Sequence, residues 1–294
     1  MPLLSPVYIL LISSVGWGLT WLPLKHLASQ GMEGIYLVFI AFGCAAVLLL
    51  PFTLRQWSKW KQHFHILLLI TFLGGFANIT FQTALFHGDV IRVMILFYLL
   101  PAWSVIGGKV FLGEQIDAKR MFTVICALTG AFLILGGPNI FHTPPSWIDL
   151  LAIASGLSFA VNNIVFRFAE PQPLTGKVNA MFLGCAVMAL IYILVSFPTA
   201  PSITTDNLVG SLLYGGIMIM LITFGTQWGV EQIEAGRASI IIITELVVAV
   251  ISAAVLLNEQ LNGIELIGGG LVILAAMVET FRTQPEVSPA TGET

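Results

Sequence analysis

The amino-acid sequence predicts an all-α, polytopic membrane protein of ten transmembrane helices, built as two inverted five-helix repeats. Three observations predict it: an apolar composition, a distribution of basic residues that fits ten passes, and an internal repeat at a shift of 145 residues.

Of the 294 residues, 57% are hydrophobic and only 9% charged, whereas roughly a quarter of the residues of a soluble domain are charged. A spanning helix needs about 20 predominantly apolar residues. Ten such helices consume most of the chain and leave no room for a soluble catalytic domain. The net charge of -3 is modest, and nucleic acid is not expected as a partner. Cys44, Cys126 and Cys185 each lie in an apolar stretch without CxxC spacing or a neighbouring His, so they read as small packing residues.

The apolar runs, in order, are 5–27, 34–53, 65–86, 90–112, 119–137, 147–166, 178–198, 208–230, 238–257 and 263–281. Turn residues or charges bound them, as in Arg55 to His65, Gly113 to Arg120, Pro138 to Ser146 and Pro198 to Asn207. No Lys or Arg precedes the first run, which carries Trp17, Trp21 and Lys25, so it is expected to be an uncleaved helix rather than a secretory signal. The polar tail, 283–294, is expected to be disordered and cytoplasmic.

Basic residues set the orientation. With a cytoplasmic N-terminus, ten passes put Arg55, Lys59, Lys61, Lys109, Lys119, Arg120, Arg167, Lys177, Arg237 and Arg282 on the cytoplasmic side, and leave Lys25 and Arg92 for the other. An extra or missing span would scramble this asymmetry. Both termini are therefore expected in the cytoplasm of a cell with a bacterial-type inner membrane.

The shift of 145 lays Gln82, Arg92, Ile95, Val105, Ile106, Val110, Leu112, Glu114 and Gln115 on identical residues at 227, 237, 240, 250, 251, 255, 257, 259 and 260. Asp89 falls on Glu234 in the same register, so an acid-x-x-Arg pattern opens both the fourth and the ninth helix. A shift of 142 matches Trp17 with Phe159, Trp21 with Asn163 and Lys25 with Arg167. Five helices per unit is odd, so the units 1–140 and 141–282 are expected to sit in opposite orientations, with a solute site near the midplane between them.

The Gly16-Trp17-Gly18 and Lys25 pattern, and Pro101 followed by Gly113-Glu114 at the end of the fourth helix, resemble the EamA family of the drug/metabolite transporter superfamily. The second half departs from the pattern, with Leu246 and Asn258 where the family has Pro and Gly. The resemblance implies ten helices in two inverted halves, a cavity lined mainly by the first four helices of each, and export of amino acids or other metabolites.

Polar residues inside the spans are the candidate site, since each is costly unless it faces the bundle or a wet cavity. Asn78 and Gln82 share one helix face with Thr71, Gly74 and Gly75, and Gly216, Thr223 and Gln227 form the equivalent stripe in the eighth helix. Ser13, Trp17 and Trp21 align in the first helix, with Ser155, Phe159 and Asn163 as their partners in the sixth. Cavity lining is one reading of these stripes and helix-to-helix packing the other. Glu245 lies eight residues beyond Arg237, about 12 Å along a helix. It reads as a proton-coupling carboxylate, as an anionic contact for a substrate amine, or as a structural group.

Trp17, Trp21, Tyr98, Trp103 and Trp228 offer flat faces to an aromatic or cationic solute, or serve as interfacial belt residues. Pro101 predicts a kink or hinge in the fourth helix. Asp89 with Arg92, and Glu234 with Arg237, are spaced for i, i+3 pairing and are candidate gate pairs. The five His residues fall at span ends or in loops, so neither a metal site nor a cofactor is expected.

The reading is a secondary transporter for a small organic solute in a lipid bilayer, with protons as the candidate coupling ion and no ATP-binding GxxxxGK[ST] loop. Its rivals are efflux of cationic or aromatic drugs, an intramembrane enzyme, and a non-transporting scaffold. No catalytic residues are assigned, because neither HExxH nor a GxSxG nucleophile setting occurs.

Overall fold

The structure is a computed structural model that describes residues 5–137, 144–257 and 262–282. Ten helical passes run through them: α1 (Pro6–Ser29), α2 (Gly34–Arg55), α3 (Phe64–His87), α4 (Val90–Leu112), α5 (Ala118–Ile134), α6 (Trp147–Phe168), α7 (Leu174–Ser196), α8 (Thr205–Gln232), α9 (Ala235–Leu256) and α10 (Gly263–Thr280). Nine of these are long and apolar enough to cross a membrane, and α5, with 17 residues, is the shortest. Residues 258–261 lie outside the described residues, and with them the repeat matches at Glu259 and Gln260, as do the tail 283–294 and His142.

Local chemistry starts and stops the passes. Ser146 with Asp149, Thr204 with Asn207, and Asn262 with Glu265 form reciprocal capping boxes that satisfy the first free N–H groups of α6, α8 and α10. Gly113, at φ 70°, closes α4 in the left-handed region. The outer faces are apolar: Val47, Phe111, Leu150, Val195, Leu221 and Ile267 are 62% to 73% exposed, as lipid contact requires.

The packing has the pattern of a two-fold axis lying between the halves. α2 packs on α7, α4 on α9 and α5 on α10, each helix against its own repeat partner. α1 packs on α8 and α9, and α6 correspondingly packs on α3 and α4. Pro6 lies near Gly229 at one end of the bundle, and Arg282 reaches Asp117 there. This end is called the terminal face below.

Several passes are interrupted near their middles. α1 breaks between Gly18 and Trp21, α4 at Tyr98–Leu99 and α9 at Ile243, while α8 carries a π-helical turn over Tyr214–Ile219. The first segments of α4 and α9, Val90–Phe97 and Ala235–Ile242, coincide residue for residue at the 145 shift. The interruption of α4 falls beside Pro101, which leaves the Phe97 carbonyl without the N–H donor of a continuous helix. The break precedes that proline, which sits in the first turn of the following segment, where its missing N–H costs nothing. The equivalent break in α9 occurs with Leu246 in the proline's place.

The break in α4 leaves the Phe97 carbonyl, which α6 approaches closely, and α1 comes equally close to the backbone of α9 just past its break. A Cβ on Gly156 of α6 would stand 2.5 Å from the Phe97 carbonyl oxygen, and one on Gly18 of α1 would stand 2.5 Å from that of Glu245. Only a glycine fits either place. Gly156→Val is therefore expected to cost about 1–3 kcal/mol through overpacking and to lower the thermal unfolding midpoint of detergent-solubilised protein by several degrees. Gly270→Ala, whose new Cβ meets nothing within 4 Å, is expected to cause no fall.

Candidate functional site

A cavity of about 700 Å³ lies between the halves. It is lined by residues of α1 to α4 and α6 to α9, while α5 and α10 contribute none among the described residues. Its mouth is marked by Lys25 and Ala28 of α1, Glu33 and Gly34 before and at the start of α2, and Leu85 near the end of α3. All of these lie at the end of the bundle away from the terminal face. The floor, about halfway through, is formed by Trp17, Gly18, Thr226, Gln227 and Glu245.

The floor is organised by the two matching breaks. Tyr98 stands at the break in α4, and its hydroxyl donates a 2.9 Å hydrogen bond to Glu245 Oε1. Glu245 lies in the first turn of the second segment of α9. A helix that restarts in mid-span presents free N–H groups and a partial positive charge, and an acidic residue in its first turn complements both. That is a local reason for a carboxylate at this depth. Beside it, Phe97 packs against Tyr98 at 5.4 Å, Phe81 at 4.7 Å and Phe159 at 6.1 Å between ring centroids, giving the cavity an aromatic wall.

The other sequence-stripe residues divide between wall and backing. Trp17, Trp21, Asn78, Gln82, Phe159, Thr223 and Gln227 line the cavity. Asn163 is buried behind the wall, where its Oδ1 accepts from Gln227 Nε2 at 3.4 Å. The Trp17 indole N–H donates to Thr226 at 3.0 Å and that of Trp21 to Ser252 at 2.9 Å, so both rings present only their faces to the cavity. Trp103 and Trp228 are not among the lining residues.

Below the floor the bundle is sealed twice. The first seal is apolar, with Leu10, Phe166, Val230 and Ile241 fully buried. The second is ionic. Lys177 Nζ lies 2.5 Å from Glu231 Oε1, with side-chain exposures of 0% and 4%, and it also donates to the Ala169 carbonyl at 2.6 Å. Arg167 donates to the Glu231 carbonyl at 3.3 Å and pairs with Glu114 at 3.0 Å. Glu114 also accepts the Ala235 N–H at 2.9 Å, so one carboxylate between α4 and α5 ties together the ends of α6 and α9. Burial pushes the Glu114 carboxyl above the ordinary range, opposed by the Ala235 N–H and by Arg167.

The expected i, i+3 gate pairs are replaced by contacts between helices. Asp89 accepts the Arg92 backbone N–H as an N-cap, while the Arg92 guanidinium makes a two-point contact with Asp149 of α6 at 2.6 and 2.7 Å. Glu234 pairs with Arg120 of α5, and Arg237 donates to the Thr280 carbonyl at 2.9 Å. Three to four residues of separation makes such pairs available, but Asp89 caps its own helix and Glu234 turns to Arg120 of α5. Sequence reasoning missed Glu231 and the cavity residues Thr226 and Tyr214. Glu231 sits at a span end, where a charge reads as interfacial.

The model of the EamA-like transporter family matches residues 4–136 and again 146–280. YoaV, a transporter of Bacillus subtilis, is 24% identical, with 90% of this chain and 93% of that protein covered. A probable terminal-alkyne amino-acid exporter of Streptantibioticus cattleyicolor is 26% identical, with 96% of each covered. A riboflavin transporter of Brucella anthropi is 22% identical over 59% of this chain and 63% of its own length. A solved crystal structure superimposes with a TM-score of 0.78 over 94% of this chain and 98% of its own, at 16% identity, which supports the same fold.

The buried Lys177–Glu231 pair gives a test of the seal. Lys177→Met leaves the Glu231 charge buried without its partner, which costs about 3–5 kcal/mol, and is expected to lower the thermal midpoint. Lys177→Met with Glu231→Leu removes both charges and is expected to recover at least half of that loss. A single variant as stable as the parent would mean that the pair is not desolvated.

Proposed function

Because the chain belongs to the EamA-like transporter family, we propose that it is a secondary transporter exporting small organic metabolites, amino acids or related compounds, by alternating access. The observation that carries the reading is a cavity of about 700 Å³ lined from both halves, open at one end and sealed at the other. That volume suits a small organic solute, since ligand sites commonly enclose about 300–1,000 Å³. The family and its transporter-named relatives point to transport rather than catalysis.

In this reading the units 1–140 and 141–282 rock against each other around the floor at Tyr98 and Glu245, with Arg92–Asp149 joining them at the outer end and Arg120–Glu234 at the inner end. The terminal face is cytoplasmic, so the cavity faces outward, as after solute release. Protons are the coupling ion. Efflux of cationic or aromatic compounds is the second reading, favoured by the aromatic wall beside a carboxylate.

Reconstituted vesicles test the proposal through counterflow of a labelled amino acid or amine, with and without a pH difference. Gln82→Ala and Gln227→Ala, on equivalent stripes of the cavity wall, are each expected to reduce flux several-fold while the protein remains inserted. Unchanged flux in the double variant would assign both amides to packing. A cysteine placed at Ser146 is expected to react only with reagent added outside the cell, and reaction from the cytoplasm alone would overturn the orientation.

A further inference from the structure

The cavity's polar groups differ in what they leave free. Several of its hydrogen-bond donors are used within the wall. Tyr98 donates to Glu245, Trp17 to Thr226, and Trp21 to Ser252. Thr20, Ser155 and Thr226 donate to the Trp17, Ala77 and Ile222 carbonyls at 2.7, 2.7 and 2.8 Å. Buried Gln227 Oε1, an acceptor, and the Thr223 hydroxyl have no partner, and Glu245 has Tyr98 as its one hydrogen-bond donor and no basic side chain paired with it among the described residues.

Charge is just as unevenly placed. The lining residues that carry charge are Glu245 on the floor and Lys25 and Glu33 at the mouth. Gly18 packs against the Glu245 backbone, and Lys25 is seven residues further along α1, about 10 Å toward the mouth at the helical rise. Lys25 also stands over the Trp21 ring, 5.9 Å from its centre. The amine nitrogen and carboxylate carbon of an α-amino acid are only two bonds apart. A solute whose ammonium sits on Glu245 therefore holds its α-carboxylate close to the Glu245 charge. The Asn78 and Gln82 amides can supply hydrogen bonds to such a carboxylate but no counter-charge.

We propose that Glu245, held by Tyr98, is an ammonium subsite, and that the cavity takes amines with an aromatic or bulky apolar body in preference to the corresponding amino acids. The ammonium supplies the counter-charge that Glu245 lacks, and an opposite charge within about 4–6 Å favours the ionised carboxylate. The apolar body lies against Phe81, Phe97 and Phe159, whose ring faces also attract a cation. A carboxylate on the carbon that bears the amine is repelled by Glu245.

This inference rests on the reading of the cavity as a solute site, and the test separates the two. Binding of phenethylamine, phenylalanine, 3-phenylpropionate and 2-phenylethanol is measured by calorimetry on the full-length protein in lipid nanodiscs. Phenethylamine is expected to bind at least about tenfold more tightly than phenylalanine, with 3-phenylpropionate weakest, as the loss of a charge-assisted hydrogen bond implies. Glu245→Gln is expected to weaken phenethylamine binding by about tenfold or more and to leave 2-phenylethanol unchanged. The ligand series on the unaltered protein stands on its own if that variant fails to fold. Phenylalanine or 3-phenylpropionate binding as tightly as phenethylamine, an undiminished amine affinity in Glu245→Gln, or no binding by any of the four would each overturn the proposal. Vesicles that exchange phenylalanine without any preference for the amine would remove the ammonium subsite and keep the transport reading. Tight amine binding without exchange of any solute would do the reverse.

Discussion

A helix that breaks inside a bilayer must satisfy its freed backbone groups from protein or from cavity water, because lipid offers them nothing. Everything at the centre of this molecule answers that constraint. The breaks in α4 and α9 face each other across the contact between the halves, and the Tyr98–Glu245 hydrogen bond spans the gap between them. The glycines of α1 and α6 let those helices close over the backbone beside the breaks. The polar groups that the breaks require are then available to a solute, so the cavity floor and the interruption of the helices are one structural event.

The two faces are not chemical mirror images, although the halves are related by repeat. At the terminal face Lys177 and Glu231 are buried together and Arg167 is tied to Glu114. The equivalents of Lys177 and Glu231 in the first half are Ile35 and Phe86, at shifts of 142 and 145. Those positions carry no ion pair, and the pair described at the opposite face is Arg92–Asp149. Lys177 and Glu231 both belong to the second half, so what rocking the halves apart at the terminal face must separate is Arg167 from Glu114 and Arg120 from Glu234, and a buried pair is costly to split unless water or another partner replaces each half. This asymmetry accounts for a structure that is closed at the terminal face and open at the other.

Much of this was legible in the sequence. Apolar runs located all ten passes to within a few residues, and the 145 shift aligned the very segments that later proved to be broken at equivalent places. Helical spacing put Asn78 with Gln82, and Thr223 with Gln227, on faces that do line the cavity. The breaks themselves were not legible. Pro101 pointed to the right region for a reason that fails in α9, where no proline is present, and tertiary packing, not local propensity, sets both. Ion-pair partners were also hidden, since Arg92 and Glu234 find theirs on α6 and α5, far away in sequence. Asn163 looked like a lining residue because its repeat partner is Trp21, but a shorter side chain at that position stays behind Gln227.

The central claim is that the floor at Glu245 is reached from the face opposite the termini and sealed from the terminal face. The most direct measurement places a single cysteine at Ala249, on the cavity wall one turn beyond Glu245, with Cys44, Cys126 and Cys185 replaced. A membrane-impermeant thiol reagent is then added to one face or the other of oriented vesicles. The account predicts rapid modification from the face opposite the termini and protection from the terminal face. Modification from the terminal face, or from neither, would contradict it.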